Sequence, residues 1–510
     1  MKLFSLRGGL SLAGHKGGTA GRPIRVMPAP PVLHLPLRQH AGDPAKPVVA
    51  EGDTVRRGER LAESAGPLSA PLHAPAAGRV TAVRPETAPH PSGLPAETVV
   101  LETAAGDDEA PLAPPVEPEA AAPGEIAARV GDAGIVGLGG GAFPAAVKLD
   151  LGHHYALDTL VINGAECEPY LTADDQLMRE KAPAVVDGAR VMAAALGVGR
   201  VVVGIEANKP RALEAMRTAA GRLPDGPAVV ALPVRYPMGS ERHLVQVLTG
   251  RETPSGRLTA EVGVVVHNAG TARAVHDAVR QGRPLTHRVV TVSGGAVRRP
   301  ANVMVPLGTR VRDLVAFCGG LRADPARLLA GGPFTGNPLP GLDVPVVKGF
   351  NGILALTADE ARERPAQPCI RCGACVEVCP CGLVPVEMMA HIRKEELDDA
   401  DTLGVRDCVR CGSCAYACPS HIPLVQYFAY AQGRLRGLDV ERRNQDLQRV
   451  AARERQERMA RLERERQEKK ARQARRRQQQ DAEQQGGEAP RKADPAAAGP
   501  VADQGSRTGS

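Results

Sequence analysis

The sequence predicts a multidomain α/β protein, and three observations carry that expectation. At 510 residues the chain exceeds the roughly 250–300 residues that one hydrophobic core organises. Its apolar runs change character along the chain: short and alternating near the N-terminus, then continuous with helix-like patterns between them. Nine of its eleven cysteines fall within residues 369–418, a clustering that points to metal rather than to a scattered disulfide framework. Aromatics are only 2%, with no Trp, so the cores must be built from Ala, Val and Leu, and broad base-stacking platforms are excluded. The longest apolar stretch, 191–205, is cut by Gly197, Gly199 and Arg200, short of a membrane span. The segment 3–6 before Arg7 is too short for the apolar region of a secretory signal, so the chain reads as cytoplasmic.

The first expected module occupies residues 1–115 with its linker. Within it, 47–83 alternates short apolar runs with turn signals at Gly52-Asp53, Gly58, Gly66 and Ala77-Gly78, the punctuation of a small all-β unit. It resembles the barrel-sandwich fold of biotinyl and lipoyl domains. Such carriers place a lysine at the hairpin tip, whereas here the tip reads Ala62-Glu63-Ser64-Ala65-Gly66. With no amine to acylate, the module is expected to be structural. Residues 84–123, rich in Pro, Ala and Glu, read as a linker.

A Rossmann-like α/β domain is expected over 124–285. Its strands are LVING (160–164), VVVGI (201–205), AVVALPV (228–234) and VGVVV (262–266), continuous runs that suit a parallel sheet covered on both faces. Over 286–345 a strand, a Gly-Gly turn, a second strand and a short helix at 311–317 predict a small β-grasp (SLBB-like) module. The cysteine block is expected to form a domain at 360–430. Beyond it, 434–510 reads as a charged helical and disordered tail. Residues 441–480 hold fifteen Lys/Arg against seven Asp/Glu, and this surplus exceeds the whole chain's net charge of +7. The folded body is therefore close to neutral. The tail's acids are interleaved with its bases and it carries no aromatic residue, so no nucleic-acid partner is expected.

The cysteine block contains two near copies, CIRCGACVEVCP (369–380) and CVRCGSCAYACP (408–419). Each is the Cys-x2-Cys-x2-Cys-x3-Cys-Pro run of a two-cluster bacterial ferredoxin, whose fourth cysteine ligates the other cluster. The spacing assigns Cys369, Cys372, Cys375 and Cys418 to one [4Fe–4S] cluster, and Cys408, Cys411, Cys414 and Cys379 to the second. Zinc knuckles use paired Cys-x2-Cys turns, which this pattern does not fit. Cys381 lies outside both runs and reads as a bystander thiol, and Cys318 as a small buried hydrophobe.

The stretch AGIVGLGGGAFPAAVKL (133–149) passes through Gly137, Gly139, Gly140 and Gly141 into a helix-forming segment with Lys148. Glycines permit close backbone approach to phosphate, though the spacing fits neither a Walker loop nor G-x-G-x-x-G. Three further stretches accompany it: VINGAECEPYLTADDQLM (161–178), YPMGSERHLVQVLTGRETPSG (236–256) and VVVHNAGTA (264–272). Together they resemble the C subunit of the Rnf electron-transport complex, also called Rsx, and more distantly the flavin-bearing NADH-oxidising subunit of respiratory complex I. The resemblance covers the chain from the N-terminal β module through Cys418.

That resemblance implies noncovalent FMN, NAD(H) and two [4Fe–4S] clusters. It implies that Gly137, Gly139 and Gly140 line the flavin phosphate and that Lys148 reaches it. Asn163, Glu166 and Glu168 would surround the isoalloxazine and the nicotinamide ribose, with Glu166 and Glu168 as the catalytic pair. Tyr236, Gly239 and Glu241 would close the dinucleotide side, Asn268 would hold the ring edge, and Phe143 would stack on adenine. Two departures stand out. The family's Gly-Gly-Ala-Gly-Phe-Pro reads here Gly139-Gly140-Gly141-Ala142-Phe143-Pro144, and position 151 is Leu where an aromatic stands in the complex I relative. Asp174, Asp175 and Glu180 read as solvated helix-face charges.

The implied function is that of a peripheral subunit on the cytoplasmic face of the inner membrane. It would carry electrons between NADH, flavin and clusters, with the integral-membrane and other Rnf/Rsx subunits as partners and ferredoxin engaged indirectly. The assembled complex would couple this transfer to ion translocation. A soluble NADH dehydrogenase subunit, a reducer of a redox-sensing regulator and a non-enzymatic ferredoxin-like scaffold are the alternatives.

Overall fold

The computed structural model describes residues 3–106 and 108–485. Two compact units divide between Gln432 and Gly433, and the first holds all the modules expected from the sequence.

The N-terminal β module is built on two antiparallel sheets. One orders Val32–Pro36, Pro95–Thr103, Gly78–Thr87 and Thr54–Val55; the other orders Lys46–Pro47, Arg60–Glu63 and Leu72–His73. Their facing sides bury Leu33, Leu35, Leu61, Leu72, Val80, Val99 and Leu101. The linker expected from residue 84 begins later. Gly78–Thr87 and Pro95–Thr103 form the longest hairpin of the module, with Arg84 opposite Thr98 and Thr87 opposite Pro95. The Pro- and Ala-rich composition concealed Thr98-Val99-Val100-Leu101, which is buried between strands on both sides; local β-branched content outweighs average composition there.

The α/β domain carries a parallel sheet ordered Ala228–Leu232, Arg200–Glu206, Thr159–Gly164, Val264–Asn268. Strand order reverses direction between Thr159–Gly164 and Val264–Asn268, and the crevice beyond strand C-termini at such a switch point is where open α/β sheets bind ligands. Asn163 and Asn268 are register partners at that crevice. With few aromatics available, the helices pack on small residues. A Cβ added to Gly188 would lie 1.8 Å from the Ala272 carbonyl, so the helices Ala182–Leu196 and Ala269–Gln281 touch backbone to backbone.

The β-grasp module has the expected strands His287–Ser293 and Ala301–Pro306 and the helix Val311–Phe317. Its sheet runs past the expected boundary at 345. The strand Gly352–Leu356 pairs parallel to His287–Ser293, and Arg25–Val26 from the N-terminus adds to the opposite edge. Lys348 ties this module to its neighbours, with its Nζ donating to the carbonyls of Pro71 (2.6 Å) and Gly134 (2.7 Å). Complete burial pushes this amine down to about 7.

The cysteine domain repeats in backbone as it does in sequence. Arg371 and Arg410 (φ 54° and 53°) and Gly373 and Gly412 (φ 80° and 82°) adopt matching left-handed turns, leading into the helices Ala374–Glu377 and Ser413–Tyr416. Cys318, as expected, is fully buried. The helix Leu424–Gln485 starts against this domain, with Leu424, Phe428 and Ala431 buried. In the second unit, residues 441–484 are exposed throughout. The end expected to be disordered, 486–510, lies outside the described residues. No helix among the described residues is long and apolar enough to cross a membrane.

Candidate redox site

The glycine loop is closed on itself, the Gly137 N–H donating to the Phe143 carbonyl (2.8 Å) and the Ala142 N–H to the Gly137 carbonyl (3.1 Å). It presses on the neighbouring strand end: a Cβ at Gly139 would sit 3.2 Å from the Asn268 Cβ. Gly140 (φ 106°) and Ala142 (φ 46°) are left-handed. The exchange of Gly and Ala relative to the family pattern therefore puts a side chain where glycine costs least, a strain of about 1–2 kcal/mol.

A cavity of about 530 Å³ opens between this loop and the strand ends, within the range of cofactor sites. Of the residues implied by the resemblance, Gly137, Gly139, Phe143, Lys148, Asn163, Gly239, Glu241 and Asn268 line it. Their positions are set by hydrogen bonds. The Asn268 Oδ1 caps the following helix at the Gly270 N–H (2.8 Å), and its Nδ2 donates to Asp174 (2.6 Å). The Asn163 Nδ2 donates to the Gly239 carbonyl (2.9 Å). Lys148 Nζ lies 3.0 Å from Glu241 Oε2, and the Thr259 hydroxyl donates to the other Glu241 oxygen (2.9 Å).

His267 also lines this cavity; as one residue of an apolar strand it carries no sequence signal of its own. It is 4% exposed, and its Nε2 has no hydrogen-bond partner among the described residues. Burial, aided by Lys148, pushes it down to about 3, so the ring is neutral and offers one unused polar atom to an occupant. Open space over Gly141, one lysine and this orphan nitrogen fit a phosphate-bearing, ring-containing cofactor. Leu151, where the complex I relative has an aromatic, contributes apolar wall.

Four of the expected residues do not line this cavity. Gly140 faces a larger cavity on the other side of the loop. Glu166 (φ 44°) turns its carboxylate onto the N-terminus of the helix Ala173–Glu180, accepting from the Asp174 and Asp175 N–H groups (2.8 and 3.1 Å). Burial pushes it up to about 7, against the pull of Lys16. Glu168 accepts from the Phe334 N–H (3.1 Å), the Thr335 N–H (2.9 Å) and the Thr335 hydroxyl (2.6 Å), gripping a loop of the β-grasp module; burial raises it as well. Tyr236 is 3% exposed and donates its hydroxyl to the Cys411 carbonyl (2.6 Å).

The helix-face charges need correction. Asp175 is buried and paired with Arg179, and Asp174 holds the amide of Asn268. The burial of this helix against the helix Pro210–Ala220 and the strand His287–Ser293 was not legible from its charge pattern. Glu180 is exposed, as expected.

The eight cysteines of the two runs divide between two cavities. One, of about 310 Å³, is lined by Cys369, Cys372, Cys375 and Cys418; the other by Cys379, Cys408, Cys411 and Cys414. Each thus takes three cysteines from one run and the fourth from the other, an all-thiol donor set without carboxylates that fits an iron–sulfur cluster; Glu387 on the rim of the first is the one acid among the described lining residues. Cys381 also borders the second cavity, with its Sγ 3.8 Å from His243 Nε2. Tyr236 links two of these cavities: its turn supplies Gly239 to the first described, and its hydroxyl bonds the carbonyl of Cys411, which lines the second thiol cavity.

Comparison with known proteins agrees with this arrangement module by module. Family models match as follows: the RnfC barrel sandwich hybrid domain at 4–106, the Nuo51 FMN-binding domain at 130–277, the SLBB domain at 289–338 and the 4Fe-4S dicluster domain at 368–422. The C subunit of the ion-translocating oxidoreductase complex of Rhodobacter capsulatus is 54% identical over 435 residues, covering 85% of this chain and 84% of its own. The C subunit of the proton-translocating ferredoxin:NAD(+) oxidoreductase complex of Clostridium ljungdahlii is 41% identical, covering 78% and 86%. Among solved structures, an NAD+-reducing [NiFe]-hydrogenase aligns with a TM-score of 0.43 at 20% identity, over 62% of this chain and 63% of that one. With four modules matched in order and such identity over most of its length, the chain belongs to the RnfC family, the C subunits of ion-translocating oxidoreductase complexes.

Proposed function

We propose that this chain is the peripheral redox subunit of an ion-translocating ferredoxin:NAD oxidoreductase complex, passing electrons between NAD(H), FMN and two [4Fe–4S] clusters. The carrying observation is the Tyr236–Gly239 turn, which touches both the FMN-type cavity and a thiol cavity. When bound, the flavin exchanges an electron pair with nicotinamide and single electrons with the clusters. The protein's task is then to hold the carriers close and dry. Lys148 would meet the flavin phosphate beside Gly137 and Gly139, while Gly140 turns to the other face of the loop. Asn163, Asn268 and the unpaired nitrogen of His267 hold the ring system, and Leu258, Ala260, Val265 and Val266 exclude water from it. Phe143 walls the flavin cavity beside the glycine loop. Glu168 engages the nicotinamide ribose from its place beside the β-grasp loop, and Glu166, anchored at a helix N-terminus, fixes the turn between them. Glu241 borders the dinucleotide, and Tyr236 fastens its turn to the Cys411 carbonyl.

One cluster is held by Cys369, Cys372, Cys375 and Cys418, the other by Cys408, Cys411, Cys414 and Cys379. The chain works at the cytoplasmic face of the membrane, docked on integral subunits through its folded modules, and exchanges electrons with ferredoxin through those partners. Anaerobic purification tests the proposal. About eight irons with matching sulfide and one acid-extractable FMN per chain are expected, and NADH should bleach the flavin and develop cluster EPR signals. Stoichiometric zinc with almost no iron would end it. Lys148→Ala should lose flavin while keeping iron.

A further inference from the structure

The glycine loop has two faces, and the second one walls a cavity of about 970 Å³. Gly139, Gly141 and Ala142 line this cavity as well as the FMN-type one. Its other walls come from two modules: Arg38, Gln39 and His90 from the N-terminal β module, and Gly332, Thr335 and Asn351 from the β-grasp module. Among its described lining residues there is no Asp or Glu. Such a wall tolerates an anion.

Gln39 points to an occupant. It is 3% exposed, and its Oε1 accepts from the Lys348 N–H (3.1 Å). That bond sets the amide's orientation, because the reversed amide would face donor to donor. Its Nε2 then lacks a hydrogen-bond partner among the described residues, a costly state for a buried donor. A phosphate or ribose oxygen would satisfy it. His40, beside it, is already committed: its Nε2 accepts from the Ala70 N–H (3.0 Å), so Nδ1 carries the proton toward the Ala41 carbonyl (3.1 Å). The exposed Arg38 guanidinium is left as the cation suited to bind a diphosphate.

The position of Glu168 orients the ligand. A Cβ on Gly332, a wall residue, would lie 2.4 Å from the Glu168 carboxylate, and Thr335, also a wall residue, is bonded to it. We infer that this cavity takes the diphosphate-bearing half of the pyridine dinucleotide, with Arg38 and Gln39 of the N-terminal β module as its anion and oxygen donors. The inference rests on the NAD(H) reading above. It gives the β module, which has no acylatable lysine at its hairpin tip, a direct part in dinucleotide affinity.

The test uses the full-length, flavin- and cluster-loaded chain and ADP-ribose, which carries the diphosphate without the redox ring. Binding is measured by calorimetry for wild type, Arg38→Glu and Gln39→Leu. Each variant should weaken ADP-ribose binding by roughly tenfold or more, with flavin and iron per chain unchanged. Because Arg38 is exposed, its variant tests the inference even if Gln39→Leu does not fold. Unchanged affinity in Arg38→Glu would overturn the inference. So would loss of flavin from that variant with ADP-ribose affinity intact, which would assign the cavity to the flavin phosphate. A wild type that keeps flavin and iron yet binds neither ADP-ribose nor NAD+ would bring down the NAD(H) reading itself, and this inference with it.

Discussion

The two cysteine runs share their spacing and their backbone turns, yet they sit in different surroundings. Around the first thiol cavity, Cys369 and Cys372 are exposed and Ile370 between them is 68% exposed. Around the second, Cys379, Cys411 and Cys414 are buried. The cover comes from far away in sequence. Tyr236 bonds the Cys411 carbonyl, and Phe334 lies between Tyr236 and Tyr416 at centroid distances of 4.6 and 5.4 Å. At the N-terminus, the Gly9 N–H donates to the Val378 carbonyl (2.9 Å), and Gly8 lies so close to Cys379 that a Cβ would come within 2.6 Å of its carbonyl. Near-identical local motifs thus become an inner and an outer site. Solvent exposure and hydrogen bonding tune cluster potentials, and the contrast orders the two sites: the inner one adjoins the Tyr236 turn, and the outer one opens to solvent.

The largest test of that contrast is a pair of ligand variants. Cys411→Ser and Cys372→Ser should each lose about half the iron. Only Cys411→Ser, however, should leave the remaining cluster oxidised when NADH has fully reduced the flavin, as read by rapid-freeze EPR. Equal reduction of the surviving cluster in both variants would break the inner-and-outer order. Next, a chelator under mild oxidation should strip iron from the wild type in two phases of about half each. Cys418→Ser should lack the fast phase; a single phase in wild type would show that burial does not protect the inner site.

A smaller effect is expected from Phe334→Ala, which removes the ring between Tyr236 and Tyr416. Stability should fall by about 2 kcal/mol in denaturant titration, and iron loss should accelerate in the slow phase alone. The smallest concerns the tail. Deleting 441–510 should shift stability by less than about 0.5 kcal/mol and leave flavin, iron and both release phases as they were, because its described residues are exposed.

Much of this arrangement was legible beforehand because it depends on local pattern. Continuous apolar runs located all four parallel strands to within two residues, since a strand buried on both faces needs no polar alternation. The paired Cys-x2-Cys-x2-Cys-x3-Cys-Pro runs anticipated which thiols share a cavity, because chain geometry confines three of them to one loop. The strand Pro95–Thr103 was lost to composition averaging over a short β-branched run. Asp174 and Asp175 looked solvated because burial of a charged helix face depends on what packs over it.

By itself, then, the sequence determined the modules, their order, the cluster motifs and the family to which the chain belongs, all properties of residues near one another in the chain. Only the tertiary structure decided that a buried His267, with an unpaired ring nitrogen, stands in the wall of the flavin-type cavity. It likewise decided that Glu168 grips the β-grasp loop 166 residues away, and that one of two like cysteine sites is covered while the other is open. Those outcomes depend on contacts between segments distant in sequence, where burial and the pairing of polar groups are settled by neighbours that no local pattern encodes.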